Sequence, residues 1–245
     1  MDAEVAQRLI ALNKAFYQKL ASPFSATRSQ LQAGVKRVLG EVPEDANILD
    51  LGCGNGGVAR ELEQRWHTGK YVGVDFSEEL LAIARKNVTS PRFKVQFIQG
   101  DLTASDWNLQ SPFFIDHFDF IFAFAVLHHV PSHKLRLDFL KQVRGLLASR
   151  GRFTLSNWQF LNSPKLKERI QPWEKIGVSD SQVDEGDYLL DWRSGGKGLR
   201  YVHHFDTAEL EALAEETDFR VVNEFLSDGK TGNLALYQIW APAKM

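Results

Sequence analysis

The chain has 245 residues, of which 44% are hydrophobic and 24% charged, values close to the averages of globular proteins. They exclude a disordered or collagen-like chain, and the net charge of −2 excludes a whole-protein electrostatic attraction for nucleic acid. A single cysteine, Cys53, excludes an intrachain disulfide. The N terminus shows no signal-peptide core, and the longest apolar run, Phe120–Leu127, is too short to span a membrane. We therefore expect a soluble, cytoplasmic protein.

Alternating helices and strands are predicted along the first two thirds of the chain. Apolar residues spaced three and four apart predict a first helix that breaks at 22–28 and a second helix over 30–39. Further helices are predicted over 58–66, 78–87 and 133–147, and short apolar strands over 47–51, 71–75, 93–99, 118–125 and 152–157. This alternation predicts an α/β fold with a parallel sheet covered on both faces.

The last third of the chain has a different pattern. Residues 158–204 are rich in Trp, Pro, Gly and charge with little periodicity, which predicts an inserted cap or long loops. Asp206 and Glu209 match a capping box that starts a helix, and the strand-like runs 219–226 and 233–240 flank a glycine-containing turn typical of a hairpin. We predict a single domain over 1–245, divided into a helical cap (1–44), a core (45–157), an insertion (158–204) and a C-terminal helix and hairpin (205–245).

A glycine-rich loop follows the first strand, with four glycines in the six residues 52–57. Glycines there permit positive φ and close approach of a ligand to the backbone. Gly52, Gly54 and Gly57 fit G-x-G-x-x-G, and Asp75 ends the next strand, a pattern compatible with a dinucleotide site. Three features favour S-adenosylmethionine instead: helices precede the loop's strand, Asp50 can orient a cationic amino-acid ligand, and the terminal hairpin adds an antiparallel pair at the sheet edge.

The segments Asp50–Gly56, Gly73–Asp75 and Gly100–Leu102 resemble the three ordered motifs of class I S-adenosylmethionine-dependent methyltransferases. The resemblance implies a Rossmann-like, mostly parallel seven-stranded sheet with a C-terminal antiparallel hairpin and helices on both faces. It implies S-adenosyl-L-methionine as cofactor and S-adenosyl-L-homocysteine as product. The loop glycines would line the methionine portion, Asp75 would take the ribose hydroxyls, and Asp101 the adenine amino group. The implied cofactor-binding residues are Asp50, Gly52, Cys53, Gly54, Asn55, Gly56, Asp75, Phe76, Gly100, Asp101, Leu102 and Ala125.

Motifs outside that core resemble a single subfamily, the tRNA wobble-uridine carboxymethyl methyltransferases, which esterify 5-carboxymethyluridine in the anticodon loop. They are residues 24–28, 126–129, 186–192 and 200–205. The chain departs from the subfamily at 29–32, where an aromatic and proline-tryptophan element is usual. The resemblance implies the tRNA anticodon loop as partner, and a small zinc-binding activator protein such as eukaryotic members use.

A carboxylate acceptor is already an ionised nucleophile at neutral pH and needs no general base. Arginine is suited to aligning such an acceptor, because its guanidinium donates two hydrogen bonds to one carboxylate. The predicted catalytic, substrate-orienting residues are Arg28, His128, Arg200, Tyr201 and His203, and the predicted substrate-binding residues are Arg136 and Trp192. Because neighbours in an extended chain face opposite ways, only one of His128 and His129 is expected to face the pocket. No metal-ligand spacing occurs, and no metal is assigned.

Three other functions fit the same sequence. A small-molecule methyltransferase would use 158–204 as a substrate lid, a noncatalytic subunit would bind the cofactor only, and a dehydrogenase would bind a nicotinamide cofactor. Residues 134–200 carry 13 lysines and arginines against 8 acids, which favours RNA only modestly because solvated helix faces give similar counts.

Overall fold

The computed structural model describes residues 1–26, 30–90, 92–104, 107, 117–194 and 196–243, apart from the side chains of 21–26. Helices are α1 (Ala3–Ala26), α2 (Ala33–Leu39), α3 (Gly57–Gln64), α4 (Glu78–Asn87), α5 (His133–Leu146), α6 (Pro164–Lys167) and α7 (Thr207–Glu216). Strands are β1 (Ile48–Leu51), β2 (Lys70–Asp75), β3 (Lys94–Gln99), β4 (Phe118–Phe124), β5 (Leu147–Trp158), β6 (Ile170–Gln171), β7 (Asp187–Trp192), β8 (Gly198–His203), β9 (Phe219–Ser227) and β10 (Ala235–Pro242).

Within the described ranges, seven strands form one sheet in the order β3-β2-β1-β4-β5-β10-β9. The first five strands run parallel, and β10 pairs antiparallel with both β5 and β9. The predicted mostly parallel seven-stranded sheet with its terminal hairpin is therefore confirmed. Its connections place the carboxyl ends of β1, β2, β3, β4 and β5 on one edge, where open α/β sheets bind ligands.

Both faces of this sheet are covered by apolar helix stripes. On one face α5 and α7 bury Phe139, Leu140 and Leu210 against β4 and β5, and on the other α2 and α3 bury Val35 and Leu62 against β1 and β2. Burial on both faces explains why β1 is apolar at three of its four positions and buried at all four. The exception is Asp50, which lies at the ligand-binding edge.

Residues 158–204, predicted to form an inserted cap or long loops, contain a second sheet, which corrects the expectation of long loops. Strands β6, β7 and β8 form an antiparallel sheet in that order, with Tyr188 opposite Val202. Its strands bury side chains of both faces: Leu189 packs with Val5 and Leu9 of α1, and Leu190 with Phe160. Strands buried on both faces lose the apolar-polar alternation that reveals half-buried strands in sequence.

The start of α7 matches the predicted cap in part. The Asp206 carboxylate accepts a hydrogen bond from the Glu209 N–H at 2.8 Å, so Asp206 is the N-cap. The Glu209 carboxylate turns instead toward His203 and Arg136. The expected reciprocal bond of a capping box is thus replaced by an ion-pair network that ties α7 to the insertion.

Candidate active site

A cavity of about 570 Å³ opens at the carboxyl edge of the seven-stranded sheet, within the usual size range of small-molecule sites. It receives residues from α1, from the loops after β1, β2, β3 and β4, and from β5, β8 and β10. The structure brings eleven of the twelve predicted cofactor residues onto its wall: Asp50, Gly52, Cys53, Gly54, Asn55, Asp75, Phe76, Gly100, Asp101, Leu102 and Ala125.

The glycine loop requires its glycines for two different reasons. Gly52 has φ +73°, and a Cβ there would lie 2.5 Å from Val126 Cγ2. Gly54 has φ +55° and nothing within 4 Å of such a Cβ, so its backbone is open to a ligand. Gly56 caps α3 with φ +75°, and a Cβ there would lie 2.8 Å from Ala84 Cβ. Packing against α4 therefore explains Gly56, which corrects the prediction that it lines the site.

Asp75 ends β2 beside this loop. Its Oδ2 accepts from the Gly54 N–H and its Oδ1 from the Ser77 N–H, both at 2.9 Å. Burial raises the pKa of this carboxyl, although the backbone donors act against the rise. A carboxylate oxygen has two lone pairs, so each oxygen can still accept from a ligand hydroxyl. The pair of acceptors beside an open glycine fits the ribose diol of the predicted cofactor.

Asp101 is paired with a residue that sequence reasoning missed. Its Oδ2 lies 2.5 Å from Lys14 Nζ of α1, and its Oδ1 accepts from the Thr103 N–H and hydroxyl. Although burial opposes it, the hydrogen bonds from Lys14 and Thr103 lower the pKa of Asp101. The ion pair holds α1 against the end of the cavity predicted to hold adenine. A helical spacing of Asn13, Lys14 and Tyr17 on one face of α1 was the available signal.

The two adjacent histidines correct another expectation. Residues 127–129 form a 3-10 turn rather than extended chain, and both His128 and His129 line the cavity. His128 Nδ1 accepts from the Trp158 N–H at 3.3 Å. His129 Nδ1 donates to the Tyr201 carbonyl at 3.0 Å, while its Nε2 accepts from the Tyr17 hydroxyl at 2.7 Å. The alternation rule failed because it applies to strands only.

Arg200 provides a buried guanidinium on the cavity wall. Its side chain is on β8, the residue is 5% exposed, and its Cζ lies 4.7 Å from the Trp158 ring centre. The rings of Phe16 and Trp192 lie 5.4 Å from the same atom. Aromatic faces stabilise a cation while leaving its N–H groups to hydrogen-bond in the plane. Arg200 and Trp192 thus both line the cavity.

Three other predicted substrate-side residues lie elsewhere. Arg136 is 1% exposed, and its guanidinium donates to Asp187, Glu209 and the Tyr201 hydroxyl. His203 places Nδ1 2.7 Å from Asp187 Oδ1 and Nε2 2.9 Å from Glu209 Oε2. None of Arg136, Tyr201 and His203 lines the cavity. The prediction that they contact substrate is corrected: their charges and polar atoms serve a buried network that joins α5, α7 and the second sheet.

The remaining predicted residue, Arg28, lies outside the described residues. Within the described ranges no group of three or more potential metal ligands occurs, and no helix there is long and apolar enough to cross a membrane.

Sequence reasoning also missed Asn157, which lines the cavity near the end of β5. Polar residues at the carboxyl ends of parallel strands are candidate site residues. This rule singled out His128, and it would have identified Asn157 as well.

Comparison with known proteins identifies the family. A family model described as "Methyltransferase domain" matches residues 24–224. A chain described as a methyltransferase from Encephalitozoon cuniculi is 28% identical over 209 residues, 85% of this chain and 87% of its own length. A trans-aconitate 2-methyltransferase of Azoarcus is 38% identical over 116 residues, 45% of this chain and 42% of its own length. A bovine protein described as tRNA methyltransferase 9B is 25% identical over 77% of this chain and 39% of its own length. This chain therefore spans about two fifths of the last two relatives.

Solved structures show the same fold. A Methanosarcina mazei structure described as a SAM-dependent methyltransferase has TM-score 0.65 and 22% identity, over 88% of this chain and 100% of its own. A Haloferax volcanii methyltransferase, solved with the Trm112 methyltransferase activator, has TM-score 0.65 and 15% identity, over 94% and 96% of the two chains. The matched span includes the glycine loop, Asp75 and Arg200, while the parts of the cavity wall from α1 and β10 lie outside it. The chain therefore belongs to the methyltransferase-domain family and is an S-adenosylmethionine-dependent methyltransferase.

Proposed function

We propose that this enzyme esterifies the carboxylate of a 5-carboxymethyluridine-type wobble base in tRNA by direct methyl transfer. One observation carries the proposal: the buried guanidinium of Arg200 on the cavity wall, enclosed by three aromatic rings. A buried arginine beside a catalytic cleft favours an anionic acceptor, because its fork donates to both oxygens of a carboxylate. The tRNA methyltransferase 9B relative supports RNA as the carrier of that acceptor.

The chain's residues have a limited set of tasks in this reaction. Bound S-adenosylmethionine supplies an electrophilic methyl group on a sulfonium. Since the acceptor is already ionised, Arg200 orients it rather than removing a proton, and the apolar wall excludes competing water. Because His128 Nδ1 accepts from the Trp158 N–H, the neutral ring carries its proton on Nε2, which can donate to the acceptor. Trp158 and Trp192 offer ring faces for an unstacked base, as single-stranded RNA loops require.

A small carboxylic acid is the second candidate acceptor. The trans-aconitate methyltransferase relatives favour it, since their named substrate carries carboxylates. In that reaction Arg200 would have the same task, and residues 158–204 would close over the acceptor as a lid. Both candidates therefore require a carboxylate beside Arg200, and they differ in what carries it.

Labelled methyl transfer separates the candidates. The enzyme is incubated with methyl-labelled S-adenosylmethionine and either tRNA containing 5-carboxymethyluridine or trans-aconitate, and labelled RNA is treated with mild alkali. We expect label to enter tRNA and to leave as methanol, which identifies an ester. Alkali-stable label would move the methyl to nitrogen, carbon or ribose, and label in trans-aconitate alone would select the second candidate.

Variants connect the reaction to the cavity. Arg200→Lys keeps the charge but loses the fork, so transfer should fall by about tenfold or more while S-adenosylhomocysteine affinity is unchanged. Arg193→Lys is the matched control, because Arg193 is exposed and pairs with Asp191. Asp75→Ala should abolish cofactor binding. Unchanged transfer by Arg200→Lys would contradict the proposal.

An activating partner belongs to the same proposal. The Haloferax volcanii structure contains a methyltransferase with an activator protein, and the sequence resemblance implies a small zinc-binding activator. Transfer that appears only when such a protein is added would support this partner, and full activity of the isolated chain would exclude a requirement for it.

A further inference from the structure

Asn157 is a buried amide on the cavity wall. It lines the cavity near the end of β5 and is 1% exposed. Among the described residues, neither its Nδ2 nor its Oδ1 has a hydrogen-bond partner. Burying such a group unpaired destabilises the folded chain. Leu155 lies two positions earlier, on the same face of the strand, and belongs to the apolar core. An apolar side chain would therefore suit position 157 better than Asn, unless a ligand pairs with the amide.

The chemistry of the amide restricts that ligand. A carboxamide presents a donor and an acceptor side by side. A carboxylate has acceptors only, so it can pair with Nδ2 but leaves Oδ1 unpaired. The complementary ligand edge must also contain a donor next to an acceptor.

The position of Asn157 assigns it to the acceptor side of the cavity. The next residue, Trp158, donates its backbone N–H to His128 and lays its ring against Arg200. β5 lies three strands from β2 in the sheet order, about 14 Å at ordinary strand spacing. Asn157 and Arg200 thus line the same cavity, and Asn157 lies three strands away from the strand that carries Asp75.

We propose that Asn157 binds the donor–acceptor edge of a uracil ring, its N3–H and an adjacent carbonyl oxygen, while Arg200 binds the carboxylate on the same base. This inference rests on the proposed function and deepens it. The amide would make the site selective for a nucleobase carboxylate over a fully ionised polycarboxylate, which has no donor. Sites built to hydrogen-bond a donor reject ligands that lack it, because their own polar atoms are then left unpaired.

A protein–ligand double-mutant cycle tests the assignment. Two RNA hairpins are compared, one with 5-carboxymethyluridine and one with its N3-methyl derivative, which has lost the donor. Each binds wild type, Asn157→Ala and Asn162→Ala in the presence of saturating S-adenosylhomocysteine, and affinity is measured by fluorescence anisotropy. Asn162 is the matched control: it is an exposed asparagine whose Nδ2 donates to the Asn233 carbonyl. Methyl transfer to the first hairpin is measured in parallel.

We expect N3 methylation to weaken wild-type and Asn162→Ala binding by on the order of tenfold or more, and Asn157→Ala to lose a similar factor. The two changes together should cost little more than either alone, with cofactor affinity unaltered. If the losses multiply, or if wild type binds both hairpins equally, this inference is overturned while the proposed function stands. The hairpin comparison on wild type needs no variant, and Asn157→Leu, which fills the same space, replaces Asn157→Ala if that variant is unstable. Absence of transfer to the first hairpin, both without and with the activator protein, would overturn the proposed function and this inference with it.

Discussion

At the scale of single residues, Asp50 combines a charged side chain with a position inside the sheet. It is 2% exposed, and its Oδ2 accepts from the Tyr71 hydroxyl at 2.6 Å. Burial raises the pKa of this carboxyl to about 7; the Tyr71 hydrogen bond acts against the rise, and the nearby charge of Asp75 adds to it. Asp50 therefore changes its charge near neutral pH on the wall of the cofactor cavity.

Replacement of Asp50 by Asn should flatten the pH dependence of stability. Between the ordinary pKa of 3.8 and the native value of about 7, the folded chain holds a proton that the unfolded chain releases. The free energy of unfolding should therefore fall as pH rises through this window, by up to about 1.4 kcal/mol per pH unit from this group. Asp50→Asn removes this contribution, while its carbonyl can still accept from Tyr71.

Urea unfolding of the cofactor-free protein across this pH range measures the effect. Asp138→Asn is the control, since Asp138 pairs with Lys134 on an exposed surface, and it should keep the wild-type slope. Equal slopes for Asp50→Asn and wild type would show that Asp50 is ionised throughout the window.

Much of the cofactor side was predictable residue by residue because its motifs are local. Gly52, Gly54 and Asp75 are fixed by the turn that links a strand to a helix, which sequence spacing records. The residues on the substrate side were harder to predict from the sequence. Arg200 stands in a subfamily motif and Arg136 follows another one, yet Arg136 is buried in an ion-pair network and Arg200 lines the cavity. The difference is decided by Asp187 and Glu209, which are 51 and 73 residues from Arg136.

At the scale of elements, that network joins α5, α7 and the second sheet. Arg136 neutralises two carboxylates, Asp187 and Glu209, and its Nε donates to the Val130 carbonyl. The Tyr201 hydroxyl donates to Asp187 at 2.7 Å. Removal of the one arginine would leave two carboxylates facing each other across His203.

Arg136→Met should therefore destabilise the fold by about 3–5 kcal/mol, as for other broken buried ion pairs. Lys134→Met is the control on the same helix: its side chain is 82% exposed, and the loss of its pair with Asp138 should cost about 0.5 kcal/mol or less. Denaturant unfolding measures both variants. A stable Arg136→Met protein with weakened substrate binding would instead restore Arg136 to the substrate-binding residues.

At the scale of the whole molecule, α1 closes the edge of the second sheet. The Asn13 amide donates to the Tyr201 carbonyl at 3.1 Å and accepts from the Tyr201 N–H at 2.8 Å, so one side chain replaces a neighbouring strand at the edge of β8. The same helix contributes Lys14 and Tyr17 to the cavity wall. This contact spans 188 residues, and helix periodicity carries no information about such a partner.

Loss of this contact should affect stability and cofactor binding together. Asn13→Ala leaves the Tyr201 N–H unpaired and the Tyr201 carbonyl with His129 as its remaining donor, which should cost about 1–3 kcal/mol, and it should speed hydrogen exchange in α1 and β8. Cofactor affinity should fall as well, because α1 forms part of the wall. Gln18→Ala, an exposed amide on the same helix, should behave as wild type. Faster exchange in α1 with unchanged affinity would show that the helix is dispensable for cofactor binding.

The tryptophan rings around Arg200 should make the intrinsic fluorescence of the protein sensitive to an anion bound there. Trp158 and Trp192, two of its six tryptophans, flank that guanidinium, and indole emission responds to nearby charge. An anion that pairs with the guanidinium will alter the field across both indoles and shift their fluorescence. Trp66, by contrast, is 73% exposed. A dissolved ionic quencher such as iodide therefore reaches its ring and suppresses its contribution to the emission. Occupation of the acceptor side is therefore visible in the intrinsic emission of the protein, without any attached dye.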